Sequence, residues 1–279
     1  MIVTPFDDER VALLAQTDHS HVAGVLAAHW GNERFARLAP YNSMVLAAQE
    51  HDSGWWDWEI RPTLGADGRP MDYIGSTKRL GEVWLDFYRK GVARVAEHDL
   101  YAAFNISAHG EGLATKGMGL LPNMPQLTTE PGFAEYVEEQ KTWRAGVLEQ
   151  LRQDPEFGPY TSDEQVWTNY NYIQVFDQFS QFLTNRHPFN NPARKNGPSA
   201  TLSGLPVPVR PGEDPVVLTI DVLDETTATV DPYPFDVDPL VIHFQGRLLP
   251  NRTFESDQEF LEEYYRAELI PIVRVLRSK

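Results

Sequence analysis

The chain has 279 residues, 42% of them hydrophobic, and carries 40 Asp and Glu against 24 Lys and Arg, a formal net charge of −16. That balance argues against nucleic acid and acidic membrane surfaces as partners, since both are bound through clustered cations, and no run approaches the roughly 18 apolar residues of a membrane span. Cysteine is absent, which excludes disulfides, iron–sulfur clusters, thiolate zinc sites and cysteine nucleophiles, so any metal must be held by the eight histidines and the carboxylates.

The opening "MIVTPFDDERVALL" lacks the basic start and cleavage site of a signal peptide, which sets the expectation of a cytoplasmic protein. "MIVTPF" and "RVALLAQ" predict a short hairpin turning at Asp7 and Asp8. Asp18 then reads as the N-cap of a helix in which Val22, Leu26 and His29 share a stripe and which Gly31 ends. A second helix, "NSMVLAAQEHD", opens at Asn42 and holds Met44, Ala47, Ala48 and His51 at helical spacing, so the His51-Asp52 doublet stands at a helix end. Three of the seven tryptophans, Trp55, Trp56 and Trp58, follow at once.

Residues 60–77 form a polar, proline- and glycine-bearing loop too long for a simple connection, hence a possible lid. One helix is predicted over 78–98, and Asp99 caps the next, "LYAAFNISAH", which Gly110 ends. A second glycine- and proline-bearing loop spans 111–132, before two long helices over 132–154 and 162–183. Near Asn190 the composition shifts. "NNPARKNGPSA" reads as a linker, and "PVVLTIDVL", "TTATVDP", "PLVIHFQGRLL" and "IPIVRVL" read as strands, interrupted by one helix with the capping box Ser256-x-x-Glu259. The expected organisation is a helical core over residues 1–188 and a small β-rich extension over 200–279 packed on it, with "VDPYPF" at the junction.

The chemistry-bearing residues come in a fixed order: His19 near a helix start, the doublet His51-Asp52, and Asp177 within a late helix among Ile173, Val175, Phe176 and Phe179. Adjacent helical side chains diverge by about 100°, so a His-Asp pair reaches one ion only where its helix is ending. A carboxylate on an apolar face is costly without a partner, which is either a metal ion or a buried arginine. Each residue also has an ordinary alternative. The doublet could simply end a helix, Asp177 could form a core ion pair, His109 could be a satisfied core histidine, and the tryptophans could be packing. His98-Asp99 repeats the letters of the doublet but opens a helix, where Asp99 is a cap. No G-x-S-x-G elbow or glycine-rich phosphate loop occurs.

"QTDHSHVAGVLAAHWG", "EHDSGWWDWE", "YAAFNISAHG", "FDQFSQFL" and "VDPYPF" resemble the bacterial family called domain of unknown function 3891, over nearly the whole chain. The His, His-Asp, Asp order is similar to that of the HD-domain superfamily of metal-dependent phosphohydrolases. That resemblance implies a mainly α fold: an HD-like helical bundle core with a short N-terminal hairpin and a C-terminal β-rich extension. It implies His19, His51, Asp52 and Asp177 as metal ligands, with His109 a fifth, Asp52 also catalytic, and a divalent Mn, Fe, Mg, Ni or Zn ion as cofactor. Trp55 and Trp56 are the expected substrate-side wall. The implied reaction is attack of a metal-activated water on a small phosphorylated metabolite or phosphoester. The rivals are a non-catalytic small-ligand or metal-binding protein of the same fold and, with His109 as an extra ligand, a metal-dependent oxygenase. The basic residue that many HD hydrolases place near the doublet has no counterpart here, and the tryptophan cluster lies outside their general pattern.

Overall fold

The computed structural model of the protein describes residues 1–115, 119–121, 131–187 and 201–279. The expected linker and much of the second glycine- and proline-bearing loop lie outside these.

The hairpin forms as expected, from β1 (Ile2–Pro5) and β2 (Arg10–Leu14). Its turn is fixed by Asp7, whose carboxylate accepts from the backbone N–H of Glu9 and Arg10 at 3.0 and 2.7 Å and from Arg10 Nε at 2.7 Å. Nine helices follow the chain among the described residues: α1 (Gln16–Ala28), α2 (Tyr41–Glu50), α3 (Trp56–Glu59), α4 (Tyr73–Leu80), α5 (Glu82–Ala96), α6 (Leu100–Thr115), α7 (Pro131–Gln153), α8 (Asp163–Gln181) and, later, α9 (Asp257–Arg266). The remaining strands are β3 (Thr201–Val207), β4 (Val216–Val222), β5 (Thr227–Asp231), β6 (Leu240–Pro250) and β7 (Glu268–Ser278).

All seven strands belong to one sheet, in the order β1-β2-β6-β7-β5-β4-β3, antiparallel except for the β5–β7 pair. It curls into a half-barrel, and about half the chain is helical. This overturns the expected mainly α fold, an HD-like helical bundle core with a short N-terminal hairpin and a C-terminal β-rich extension. The reason is the pairing of β2 with β6, which sets Leu13 opposite Arg247 and makes the N-terminal hairpin continuous with the C-terminal strands. Periodicity identifies a strand locally but carries no information about a partner so far along the chain.

Helices α1, α2, α6 and α8 pack on one another, α1 also against β6 and α8 against β3. Their shared core includes Val22, Leu26, Trp30, Tyr101, Ile106, Phe176 and Phe179. Trp30 is its aromatic hub, meeting Phe35, Tyr172, Phe176 and Phe235 edge-on with centroids 5.3 to 5.9 Å apart. Phe235 belongs to "VDPYPF", which is tied to the end of α1 by Gly31 N–H to Pro234 O and Asp236 N–H to His29 O, both 2.9 Å.

Several local expectations move. Asp18 and Asn42 lie inside the first turns of α1 and α2 rather than capping them; α1 is capped instead by a distant residue, described below. The helix expected over 78–98 breaks at Gly81, where φ is +54°. Gly110 does not end α6 but lies inside it, because a Cβ there would sit 2.4 Å from the Tyr136 hydroxyl of α7. The 60–77 segment docks on the C-terminal region: Leu64 and Met71 are buried in a cluster with Phe254 and Phe260, and Leu64 N–H donates to Asp257 at 2.8 Å.

Candidate metal centre

Four packed helices and one turn bring the sequence-predicted residues together. His19 comes from the second turn of α1, His51 and Asp52 from the end of α2, His109 from α6 and Asp177 from α8; all five are buried. His19, His51 and Asp177 offer ligand atoms within 4.8 Å of one another, and so do His51, Asp52 and His109, so these buried groups could hold a metal ion.

The histidine nitrogens are sorted by their partners. His51 Nδ1 donates to the Ala48 carbonyl at 2.7 Å. Ser180 Oγ lies 3.0 Å from the Asp177 carbonyl and 2.9 Å from His19 Nδ1; with its proton on the carbonyl it accepts from His19 Nδ1–H. His109 Nδ1 donates to Gln174 Oε1 at 3.2 Å. In the neutral form of each ring this assignment makes Nε2 the unprotonated nitrogen. Nε2 of His19 lies 3.3 Å from Nε2 of His51 and 3.0 Å from Asp177 Oδ1, and His51 Nε2 lies 3.5 Å from the same oxygen. Three lone-pair atoms thus form a triangle whose equidistant point is about 1.9 Å from each, close to the roughly 2.0–2.1 Å of a nitrogen–zinc bond. The donor set fits a first-row divalent ion that favours imidazole better than Ca²⁺, which takes only oxygens at longer distances.

Asp52 stands further back, with Oδ2 at 3.9 Å from His19 Nε2 and 3.8 Å from His51 Nε2. It is held by Tyr88, whose hydroxyl donates to Oδ1 at 3.0 Å, and by Gln16 Nε2, which donates to Oδ2 at 3.2 Å. Burial, and then Asp52, push the Tyr88 phenol well above its usual range, so it remains a donor. Burial works against a charged His51, but Asp52 and Asp177 outweigh it and raise His51 to about 9. His109 is lowered to about 4 by burial and by His51, and stays neutral. Although burial opposes ionisation of Asp177, its bonds from His19 and His51 hold it well below the usual carboxylate range.

The tryptophans divide. Trp55 and Trp58 are buried and pack edge-on at 5.9 Å, and Trp55 also meets Phe87 of α5 at 5.2 Å. Trp56, expected on the substrate side, is 53% exposed and lines a surface groove with Thr17, Asp18, Ile60 and Tyr265. The segment has a second task. Glu59 accepts from Gln16 N–H at 2.5 Å and from Thr17 N–H at 3.4 Å, capping the helix that carries His19. His98 is exposed, Asp99 caps α6 by accepting from Ala102 N–H at 2.8 Å, and neither belongs to the buried trios.

Gln16, Tyr88 and Gln174 are supporting residues of the site that sequence reasoning did not assign; Ser180 is the serine one turn after Asp177 in "FDQFS", which resembles the last HD motif. Two carried a signal: Gln16 precedes His19 and Gln174 precedes Asp177 by three residues, about one helical turn. Tyr88 was hidden in a hydrophobic stripe of α5.

The chain belongs to the family described as Protein of unknown function (DUF3891), whose model matches residues 1–251. No curated protein and no solved structure matches it. Among the described residues no helix is long and apolar enough to cross a membrane.

Proposed function

We propose that the cluster is the metal centre of a hydrolase acting on a small phosphorylated metabolite or phosphoester. One observation carries this reading: the buried His19 and His51 set Nε2 against each other at 3.3 Å and against Asp177 Oδ1 at 3.0 and 3.5 Å, while Ser180 and the Ala48 carbonyl engage their Nδ1 atoms. Outer partners that fix the tautomer in this way are the usual support of metal-bound histidines. The order His, His-Asp, Asp along the chain is similar to that of HD phosphohydrolases and is consistent with it.

His19, His51 and Asp177 would hold the ion, with Asp52 and His109 beside them. His51 has one nitrogen open and it belongs to both possible trios, so the arrangement favours a single ion over two independent ones. A bound divalent ion would supply a water acidified toward neutral pH and offset the phosphoryl charge. Asp52, set back from the triangle, accepts that water's proton at Oδ2 while Tyr88 and Gln16 keep the carboxylate from turning. Neutral His109 adds no charge to the site. The enclosing helices keep bulk water from the proton transfer.

The test is metal analysis of the purified full chain, followed by addition of Mn, Fe, Mg, Ni and Zn singly with a panel of phosphate mono- and diesters. Turnover that needs the metal and disappears in Asp52→Asn is the expected result. About one equivalent of metal without turnover would indicate a non-catalytic binding protein, and no metal uptake up to about pH 9, where His51 loses its proton, would overturn the metal reading.

A further inference from the structure

The cluster is not equally closed on all sides. The His19 and His51 side chains are fully buried, whereas the Asp177 side chain retains 8% of its exposure. The Asp177 side is therefore the least closed of these three. Asp177 Oδ1 faces the imidazoles; Oδ2 faces Gln178, whose amide N–H reaches it at 3.4 Å. The carbonyl of the same amide accepts from Arg186 Nη1 at 3.2 Å. Arg186 ends the π-helical turn Phe182–Arg186 that continues α8, an irregularity frequent at functional sites. Tyr73, at the start of α4, completes the rim, its hydroxyl 3.5 Å from Gln181 Oε1. Burial pushes the Tyr73 phenol up, and the charge of Arg186 acts against it.

Among the described residues Arg186 has no carboxylate within ion-pair distance, although the chain carries a net charge of −16. Asp72, next to Tyr73, is engaged in capping α4 through Gly75 N–H at 2.5 Å. A cation at a helix end usually serves the last carbonyls and the dipole. Here the guanidinium is instead drawn back along the helix onto Gln178, toward Asp177.

We propose that Arg186, with Tyr73 and Gln178, is an oxyanion subsite at the mouth of the cluster that takes the phosphoryl oxygens of the ligand. The guanidinium fork suits two phosphoryl oxygens and Lys does not reproduce that geometry. This deepens the metal reading and rests on it for its setting, but the two can fail separately.

The probe is inorganic phosphate, titrated at low salt into the full-chain protein, metal-free and metal-loaded, with calorimetry or phosphorus NMR as readout and metal content measured independently. Arg186→Gln should weaken phosphate binding about tenfold or more, since a bond to a charged group is lost, and Arg186→Lys should fall between. Metal content and melting temperature should not change. Wild-type protein offers a second reading: phosphate should slow modification of Arg186 by an arginine-selective dicarbonyl several-fold, while exposed Arg37 reacts as before. Unprotected Arg186, or an Arg186→Gln variant that binds phosphate as tightly as wild type, would overturn the subsite. Protein that takes metal but ignores phosphate overturns the subsite alone; protein that takes phosphate at Arg186 but never metal overturns the metal reading alone.

Discussion

Nε2 of His19 and Nε2 of His51 face each other across 3.3 Å, and both rings spend their Nδ1 proton elsewhere, on Ser180 and Ala48. With Asp177 Oδ1 at 3.0 and 3.5 Å, the three atoms would repel unless a cation stood among them. In metal-free protein that cation is a proton on His51, which Asp52 and Asp177 raise to about 9 in spite of its burial.

Metal uptake should therefore depend on pH in a defined direction. An ion must displace the His51 proton, so apparent affinity rises about tenfold per pH unit toward about pH 9 and levels above it. The stability of metal-free protein follows the same groups. His51, raised above its free value, contributes fully below about 6.5 and loses that contribution as pH rises through about 9; His109, lowered to about 4, contributes above about 6.5 and loses it as pH falls toward 4. For these two groups stability peaks near about pH 6.5. Zinc titrations and thermal melts across this range check both slopes, and a flat affinity profile would contradict the proton's place.

The two carboxylates should differ. Asp177 lies 3.0 and 3.5 Å from the His19 and His51 nitrogens and Asp52 stands back at 3.9 and 3.8 Å. Asp177→Asn should remove metal binding, whereas Asp52→Asn should retain part of it and lose turnover. Tyr88→Phe and Ser180→Ala, which free Asp52 Oδ1 and His19 Nδ1, should each weaken metal binding about 10- to 100-fold with the fold intact. Chelator competition ranks all four variants, and an Asp52→Asn protein weaker in metal than Asp177→Asn would reverse the assignment.

What the sequence made legible follows from which contacts are local. The stripes of α1, α2 and α8 and the order of His19, His51, Asp52 and Asp177 are local patterns, and they bring the centre's residues to one place. The caps were harder, because the residue that caps α1 is Glu59, more than forty positions from Gln16. Gly110 looked like a helix end because its reason for being glycine, the Tyr136 hydroxyl of α7, is a tertiary contact. The half-barrel was illegible on the same ground: nothing near Leu13 names Arg247 as its partner. Tyr88 reads as core in a stripe that includes Trp84 and Phe87, and only its distance to Asp52 distinguishes it.

Exposure separates the tryptophans by stability. Trp55→Ala removes a buried indole packed on Trp58 and Phe87 and should cost about 3–5 kcal/mol. Trp56, 53% exposed, should cost less than about 1 kcal/mol on the same substitution. Chemical denaturation of both variants measures the difference, and equal losses would mean that Trp56 is covered in solution.

Gly54 sits where the turn after the doublet crosses α5, and its lack of a side chain is what permits the crossing. A Cβ there would lie 1.7 Å from the Phe87 carbonyl oxygen, which is backbone and has little freedom to yield, and Gly91 of α5 faces the same turn, its own Cβ position 3.1 Å from Gly54 N. Arg94 ties the crossing by donating from Nη1 to the Ser53 carbonyl at 3.2 Å. Gly54→Ala must therefore push the turn away from α5, and with it Asp52 from the Tyr88 hydroxyl that α5 carries. The expected loss is about 3 kcal/mol or more, together with weakened metal binding. Gly146 on α7 is the control: a Cβ there meets nothing within 4 Å, so Gly146→Ala should stabilise the helix by about 0.5–1 kcal/mol and leave metal binding unchanged. Melting curves and metal content of the two variants decide the matter, and a Gly54→Ala protein that keeps wild-type stability would show that the doublet's position does not depend on this contact.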